Sequence, residues 1–136
     1  MKLKFPSDAW IKELSQQLNA SETYEKSAKD WEGDFVFVVE PDDAYPDTNY
    51  LFLGLYHGKS PDAAELASQD ERETEFVLSA PFTNWRRVIE GELDPIQGMM
   101  TRKLKVQGNM MKIMRYPKAA KEIVTCCALV PTDFGD

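Results

Sequence analysis

A continuous apolar run at positions 35–39, Phe-Val-Phe-Val-Val, limits the folds that this chain can adopt. The run ends at Glu40, and at six residues the segment has the length of a strand and not of a typical helix. An apolar side chain at every position is typical of a strand that is buried on both sides. The chain must therefore build a sheet around this run.

Further strands are predicted at 50–56 and 75–79, and a short alternating one at 104–107. Gly54, inside the first of these, suggests a bulge or the close approach of another group. Residues 60–68 are ambiguous, because Ser60-Pro61 could begin a helix while the short apolar content fits an edge strand.

Helices are predicted on either side of these strands. Ser7 and Ser21 fit helix starts, and apolar residues follow each at helical spacing, as far as Trp31 after the second. Past residue 82 the helical period returns, with restarts at Pro95 and Pro117 and a polar tail after Pro131. This order predicts an α+β fold with helices grouped against one sheet. The 136 residues fit one domain, 1–136, with N-terminal helices at 1–31.

The charge of the chain is unevenly distributed. The net charge of −7 argues against nucleic acid as the main partner, because phosphate neutralisation needs a basic surface. Residues 1–100 carry 9 Lys and Arg against 20 Asp and Glu, whereas residues 101–136 carry 7 against 3. The last quarter is a basic element on an acidic body.

Groups suited to catalysis or metal binding are few. His57 is the only histidine, and the sequence has no Cys-x-x-Cys, His-Glu-x-x-His or glycine-rich phosphate loop. The carboxylates in turns are expected to be solvated. We therefore predict that the chain is not an enzyme and holds no metal or cofactor. The adjacent Cys126 and Cys127 are expected to be free thiols, and no apolar stretch has the length of a signal peptide or a membrane span, so we expect a cytoplasmic protein.

Five methionines lie within sixteen residues, with two aromatic residues upstream. Flexible, polarisable methionine side chains suit surfaces that accept varied apolar shapes, but the same spacing fits an ordinary core. The basic residues nearby also have two interpretations: a solvated face, or a rim that attracts lipid headgroups or a phosphate-bearing ligand such as an acyl-CoA.

Three segments of this region resemble the signature of the sterol carrier protein type-2 family: Glu90-Gly91-Glu92-Leu93-Asp94-Pro95-Ile96, Met99-Met100, and Lys103-Leu104-Lys105-Val106-Gln107-Gly108-Asn109-Met110. The resemblance covers about 34–130 and is specific from 85 to 115. Two positions depart from the family pattern: Arg102 replaces the usual glycine, and Met111-Lys112 follows where a small residue is common. The ending Phe134-Gly135-Asp136 lacks a peroxisomal Ser-Lys-Leu type signal, so a stand-alone prokaryotic member is expected.

The resemblance implies a twisted five-stranded sheet with helices packed on one face, enclosing an apolar tunnel, and it favours a strand at 60–68. The C-terminal helix would act as a flap near the tunnel mouth. The residues then expected to contact a ligand are Phe82, Trp85, Ile89, Met99, Met100, Leu104, Val106, Met110, Ile113, Met114, Ile123, Val124 and Cys127. A basic rim is expected from Arg102, Lys105, Lys112 and Arg115.

The function that the resemblance implies is non-catalytic binding of a fatty acid, fatty acyl-CoA, sterol-like or other lipid, for sequestration or transfer, with possible transient contact at a membrane surface. The alternative is an accessory or dimerising interaction module of a lipid-related enzyme with a closed cavity. The protein would be a monomer or a homodimer.

Overall fold

The computed structural model describes all residues, 1–136. Six helices form: α1 (Asp8–Asn19), α2 (Glu22–Ser27), α3 (Phe82–Ile89), α4 (Pro95–Met100), α5 (Met110–Met114) and α6 (Pro117–Leu129). Seven strands form: β1 (Leu3–Lys4), β2 (Phe35–Glu40), β3 (Asn49–Leu53), β4 (Ala63–Leu66), β5 (Phe76–Pro81), β6 (Lys105–Gln107) and β7 (Thr132–Asp133). None of the helices combines the length and the apolar character needed to cross a membrane.

The main sheet has five strands in the order β4-β3-β2-β5-β6. Strand β2 lies at its centre, antiparallel to β3 and parallel to β5. The prediction that β2 is buried on both sides is confirmed: Phe35 and Val39 belong to the main core, whereas Val36 and Val38 join a small cluster on the opposite face. The α+β class and the five-stranded sheet are likewise as predicted.

Helix α6 is the element that joins the helical layer. It contacts each of the other five helices, while α1 packs on β3 and β4 and α3 packs on β2 and β5. Both predicted N-terminal helices start where expected, since the hydroxyls of Ser7 and Ser21 accept hydrogen bonds from the backbone N–H groups of Trp10 and Tyr24. The second helix ends at Ser27, short of the predicted Trp31.

The ambiguous region is a strand from Ala63 to Leu66, at the edge of the sheet. Strand β3 ends at Leu53, three residues before its predicted end. Gly54 marks a close approach, because its N–H donates to the Asp62 carbonyl at 2.8 Å and a Cβ there would lie 3.1 Å from the same oxygen.

The sequence predicted a polar tail after Pro131, but in the structure this segment pairs with the N-terminus. Strands β1 and β7 form a separate parallel pair, with Leu3 opposite Thr132. The indole N–H of Trp10 donates to the Thr132 hydroxyl at 2.9 Å. Two-residue strands are too short to show a hydrophobic period, so sequence patterning could not reveal them.

Candidate ligand cavity

A cavity of about 100 Å³ lies between the five-stranded sheet and the helices. Eighteen of its nineteen lining residues are hydrophobic. The lining residues are Phe5, Trp10, Leu14, Phe35, Phe37, Val39, Leu51, Leu78, Trp85, Val88, Ile89, Pro95, Met99, Leu104, Ile113, Ala120, Ile123, Val124 and Cys127.

The sheet forms one wall of the cavity. Strand β2 contributes Phe35, Phe37 and Val39, because alternate side chains of a strand point to the same face. Leu51 and Leu78 extend this wall from the neighbouring strands β3 and β5. The rings of Phe35 and Phe37 stack 5.6 Å apart. Backbone hydrogen bonds between the strands hold this wall in place.

The opposite wall is assembled from short helices. Met99 of α4, Ile113 of α5 and a stripe on α6 meet there with residues of α1 and α3. The α6 stripe comprises Ala120, Ile123, Val124 and Cys127, at helical spacing. Helices α4 and α5 have only six and five residues, so this wall depends on side-chain packing more than the sheet wall does.

The polar atoms of the lining residues are already satisfied or neutral. The indole N–H of Trp85 donates to the Val38 carbonyl at 2.9 Å, and no buried side-chain nitrogen or oxygen lacks a hydrogen-bond partner. Burial raises the pKa of the Cys127 thiol to about 12, so this group is neutral at physiological pH. A ligand in the cavity would thus meet apolar surface almost exclusively.

A more polar groove of about 370 Å³ adjoins the cavity, between the α3–α4 turn and α6. Ile89, Pro95 and Val124 line both spaces, so the groove and the cavity meet at these residues. Lys121 and the carboxylates of Glu90 and Asp94 also line the groove. Through these shared residues the cavity borders a groove that carries charged side chains.

Comparison with known proteins identifies this arrangement. The family model described as the SCP-2 sterol transfer family matches residues 11–121. The chain belongs to this family. Family members bind and transfer lipids or sterols. No curated protein matches the chain.

Solved structures of SCP-2 proteins agree with this assignment. A crystal structure of sterol carrier protein 2 has a TM-score of 0.82 and 32% identity, covering 91% of this chain and 97% of its own. The solution structure of a conserved hypothetical protein from Thermus thermophilus, described as possibly a sterol carrier protein, also has a TM-score of 0.82 and 32% identity, covering 92% and 88%. Sterol carrier protein 2 from Yarrowia lipolytica, in its apo form, has a TM-score of 0.60 at 22% identity, covering 93% and 98%, and shows the fold.

Within this SCP-2 fold, many of the residues predicted to contact a ligand lie around the cavity. Those that line it are Trp85, Ile89, Met99, Leu104, Ile113, Ile123, Val124 and Cys127.

Five predicted residues lie outside the lining. Met100 is 59% exposed, because neighbouring residues of a helix point about 100° apart and Met99 takes the inward position. Phe82 packs against the ring of Tyr45 at 4.9 Å, with Phe5 and Phe134 nearby. Three more are half-buried and make no part of the cavity lining: Val106, Met110 and Met114.

The sequence reasoning missed the sheet wall and the N-terminal contribution to the cavity. The alternation of Phe35, Phe37 and Val39 was a usable signal for the sheet wall. Trp10 and Leu14 are among the apolar residues that follow Ser7 at helical spacing, but the sequence does not say what that helix face packs against.

The predicted basic rim divides into two kinds of residue. Arg102, Lys105 and Arg115 are exposed. Lys112 is half-buried, pairs with a carboxylate oxygen of Glu75 at 2.9 Å and lies 4.9 Å from the centre of the Trp31 ring. Lys112 thus links the start of α5 to the sheet and does not form an open rim.

His57 is not part of the cavity lining and pairs with Glu32 instead. Its Nε2 lies 2.6 Å from a carboxylate oxygen of Glu32, and both side chains are largely exposed. The structure holds no group of three or more His, Cys, Asp or Glu side chains that could bind a metal ion.

Proposed function

We propose that this SCP-2 family member binds the apolar part of a fatty acid, fatty acyl-CoA, sterol-like or other lipid in the cavity, without catalysis, to sequester or transfer it. The observation that carries the proposal is a cavity lined by eighteen hydrophobic residues, with no unpaired polar group in its wall. Burial of apolar surface contributes roughly 25 cal/mol per Å², which supplies affinity with little chemical selectivity. A reducing, cytoplasmic setting fits the two free thiols of Cys126 and Cys127.

The cavity must widen to hold a long-chain lipid. At about 100 Å³ it accommodates only a small apolar group in its present form. The sheet wall is fixed by inter-strand hydrogen bonds, whereas α4, α5 and α6 meet mainly through side chains. We therefore assign the widening to the helical wall, with α6 as the flap beside the groove.

Mass spectrometry of an organic extract of the protein, freshly purified from its native cells, tests this function directly. A lipid present in stoichiometric amount is expected and would identify the ligand class. An empty extract, together with no uptake of added fatty acid or acyl-CoA, would contradict the proposal.

Two neighbouring methionines of α4 provide a matched pair for mutation. Met99→Gln places an amide in the apolar cavity wall, where the lining offers it no hydrogen-bond partner. We therefore expect fatty-acid affinity to fall at least about tenfold. Met100→Gln changes an exposed side chain by the same chemistry and is expected to leave affinity within about twofold. Titration with a fluorescent fatty acid measures both. Equal effects of the two substitutions on affinity would show that Met99 of α4 does not contact the ligand.

The second candidate function is an accessory or dimerising interaction module with a closed cavity. The small volume of the cavity and the exposed apolar side chains of Met100, Met111 and Leu129 favour this alternative. It would gain support from an empty extract combined with a stable homodimer in light scattering.

A further inference from the structure

The groove beside the cavity differs from the cavity in its chemistry. Only four of its ten lining residues are hydrophobic, compared with eighteen of nineteen in the cavity. Its volume is about 370 Å³, against about 100 Å³ for the cavity. A lipid has the same two parts, an apolar chain and a polar headgroup. The two adjoining spaces therefore suit the two ends of one molecule.

Helix α6 forms a wall of both spaces. Ile123 and Cys127 line the cavity. Lys121 and Thr125 line the groove, and Val124 lines both. Neighbouring residues of a helix point about 100° apart, so the cavity stripe and the groove stripe run side by side along α6. A lipid chain that leaves the cavity past Val124 brings its headgroup to Lys121, one turn earlier on the same helix.

The three charged side chains of the groove differ in their partners. A carboxylate oxygen of Glu90 accepts a hydrogen bond from Nε of Arg86 at 3.3 Å. A carboxylate oxygen of Asp94 accepts the backbone N–H of Gln97 at 3.0 Å, as the N-cap of α4. Lys121 is exposed and takes part in none of the ion pairs of the structure. Its ammonium group is the one charge of the groove that has no partner.

No other cation lines either space. The four residues predicted as a basic rim line neither the cavity nor the groove: Arg102, Lys105, Lys112 and Arg115. Lys118, one turn before Lys121 on α6, also lies outside both linings. A ligand that occupies the two spaces therefore meets a single cationic side chain in their walls.

We propose, resting on the lipid binding proposed above, that the groove holds the headgroup of a free fatty acid, with the carboxylate paired to the Lys121 ammonium and the chain in the cavity. One free cation matches one carboxylate in charge. The several phosphate charges of an acyl-CoA would also lie beside the carboxylates of Glu90 and Asp94, which repel them. A neutral headgroup would leave Lys121 unpaired. Lys121 thus selects among lipids that the apolar cavity alone does not distinguish.

Dodecanoic acid and dodecanol test this role, because they share one chain length and differ in headgroup charge at neutral pH. Lys121→Gln is expected to lower the affinity for dodecanoate about fivefold, and Lys121→Glu at least about 20-fold, in a buffer of low ionic strength. The affinity for dodecanol should stay within about twofold of the wild type in both variants, since its headgroup carries no charge. The fluorescence of Trp10 and Trp85, which line the cavity, follows the titrations.

Lys118→Gln is the comparison variant, since it removes an exposed cation of the same helix outside the groove. It should change dodecanoate affinity less than about twofold. Equal losses in Lys118→Gln and Lys121→Gln, or equal losses for the acid and the alcohol in Lys121→Gln, would overturn the pairing of Lys121 with the carboxylate. Binding of both ligands without any dependence on Lys121 would also overturn it and leave the proposed lipid binding intact. Binding of neither ligand to the wild-type protein would refute the proposed function itself.

Discussion

Replacing Ala120 by phenylalanine is expected to abolish fatty-acid binding while the protein remains folded. Ala120 lies half-buried on α6 and lines the cavity. A phenyl ring at this position would fill space that the ligand needs, and because the surrounding wall is apolar the ring is chemically compatible with it. We expect affinity for a fluorescent fatty acid to fall at least about 100-fold. Filling a void offsets part of the overpacking cost, so the free energy of unfolding should fall by no more than about 1–3 kcal/mol.

Ala67→Phe is the matched control for this experiment. Ala67 is exposed, directly after β4, and does not line the cavity, so the same substitution should leave fatty-acid affinity unchanged. Urea unfolding of both variants shows whether the fold is intact. If Ala120→Phe binds fatty acid as tightly as the wild type, the ligand does not occupy this cavity.

The main sheet was predictable because its central strand has a distinctive sequence. The apolar side chains at 35–39 can all be buried only if a hydrophobic cluster packs on each face of the sheet, and the structure has both clusters. Strand β4 was ambiguous from its own residues, because four residues with two alanines fit a helix as well as an edge. The resemblance to a family decided between these alternatives, which local physics could not.

The cavity lining was predictable where helical spacing identifies a buried face. Ile123, Val124 and Cys127 lie on one such face of α6, and they line the cavity. The sequence could not tell which of Met99 and Met100 faces the cavity. Helix α4 has only six residues, too few for a hydrophobic period to show which side points inward.

Contacts between the two ends of the chain could not be predicted from the sequence either. Phe5 lines the cavity, and its backbone N–H donates to the Asp133 carbonyl at 2.9 Å. A contact across that separation in sequence leaves no periodic pattern to detect. The last residue is held as well, since the guanidinium of Arg86 pairs with the Asp136 carboxylate at 2.9 Å and lowers the pKa of that carboxyl.

Gly108→Ala is expected to destabilise the protein strongly for so small a substitution. Gly108 follows β6 with a φ of +117°, in the region that favours glycine. An added Cβ would lie 2.7 Å from the Glu75 carbonyl oxygen and 2.7 Å from Cδ1 of Phe76. Phe76 is fully buried and stacks on Phe35, so neither neighbour can move without disturbing the core.

The expected loss for Gly108→Ala combines backbone strain with steric overlap. Strain costs about 1–2 kcal/mol and overpacking about 1–3 kcal/mol more, so the free energy of unfolding should fall by about 2–5 kcal/mol. Gly91→Ala isolates the first contribution, since Gly91 has a φ of +80° and a Cβ there would meet no atom within 4 Å. Urea unfolding should therefore show a loss of only about 1–2 kcal/mol for Gly91→Ala. If both variants lose the same amount, the close packing of Gly108 against β5 does not contribute to the stability of the sheet. A larger loss at Gly108 would show that the junction of β6 and α5 is anchored to the sheet through this contact.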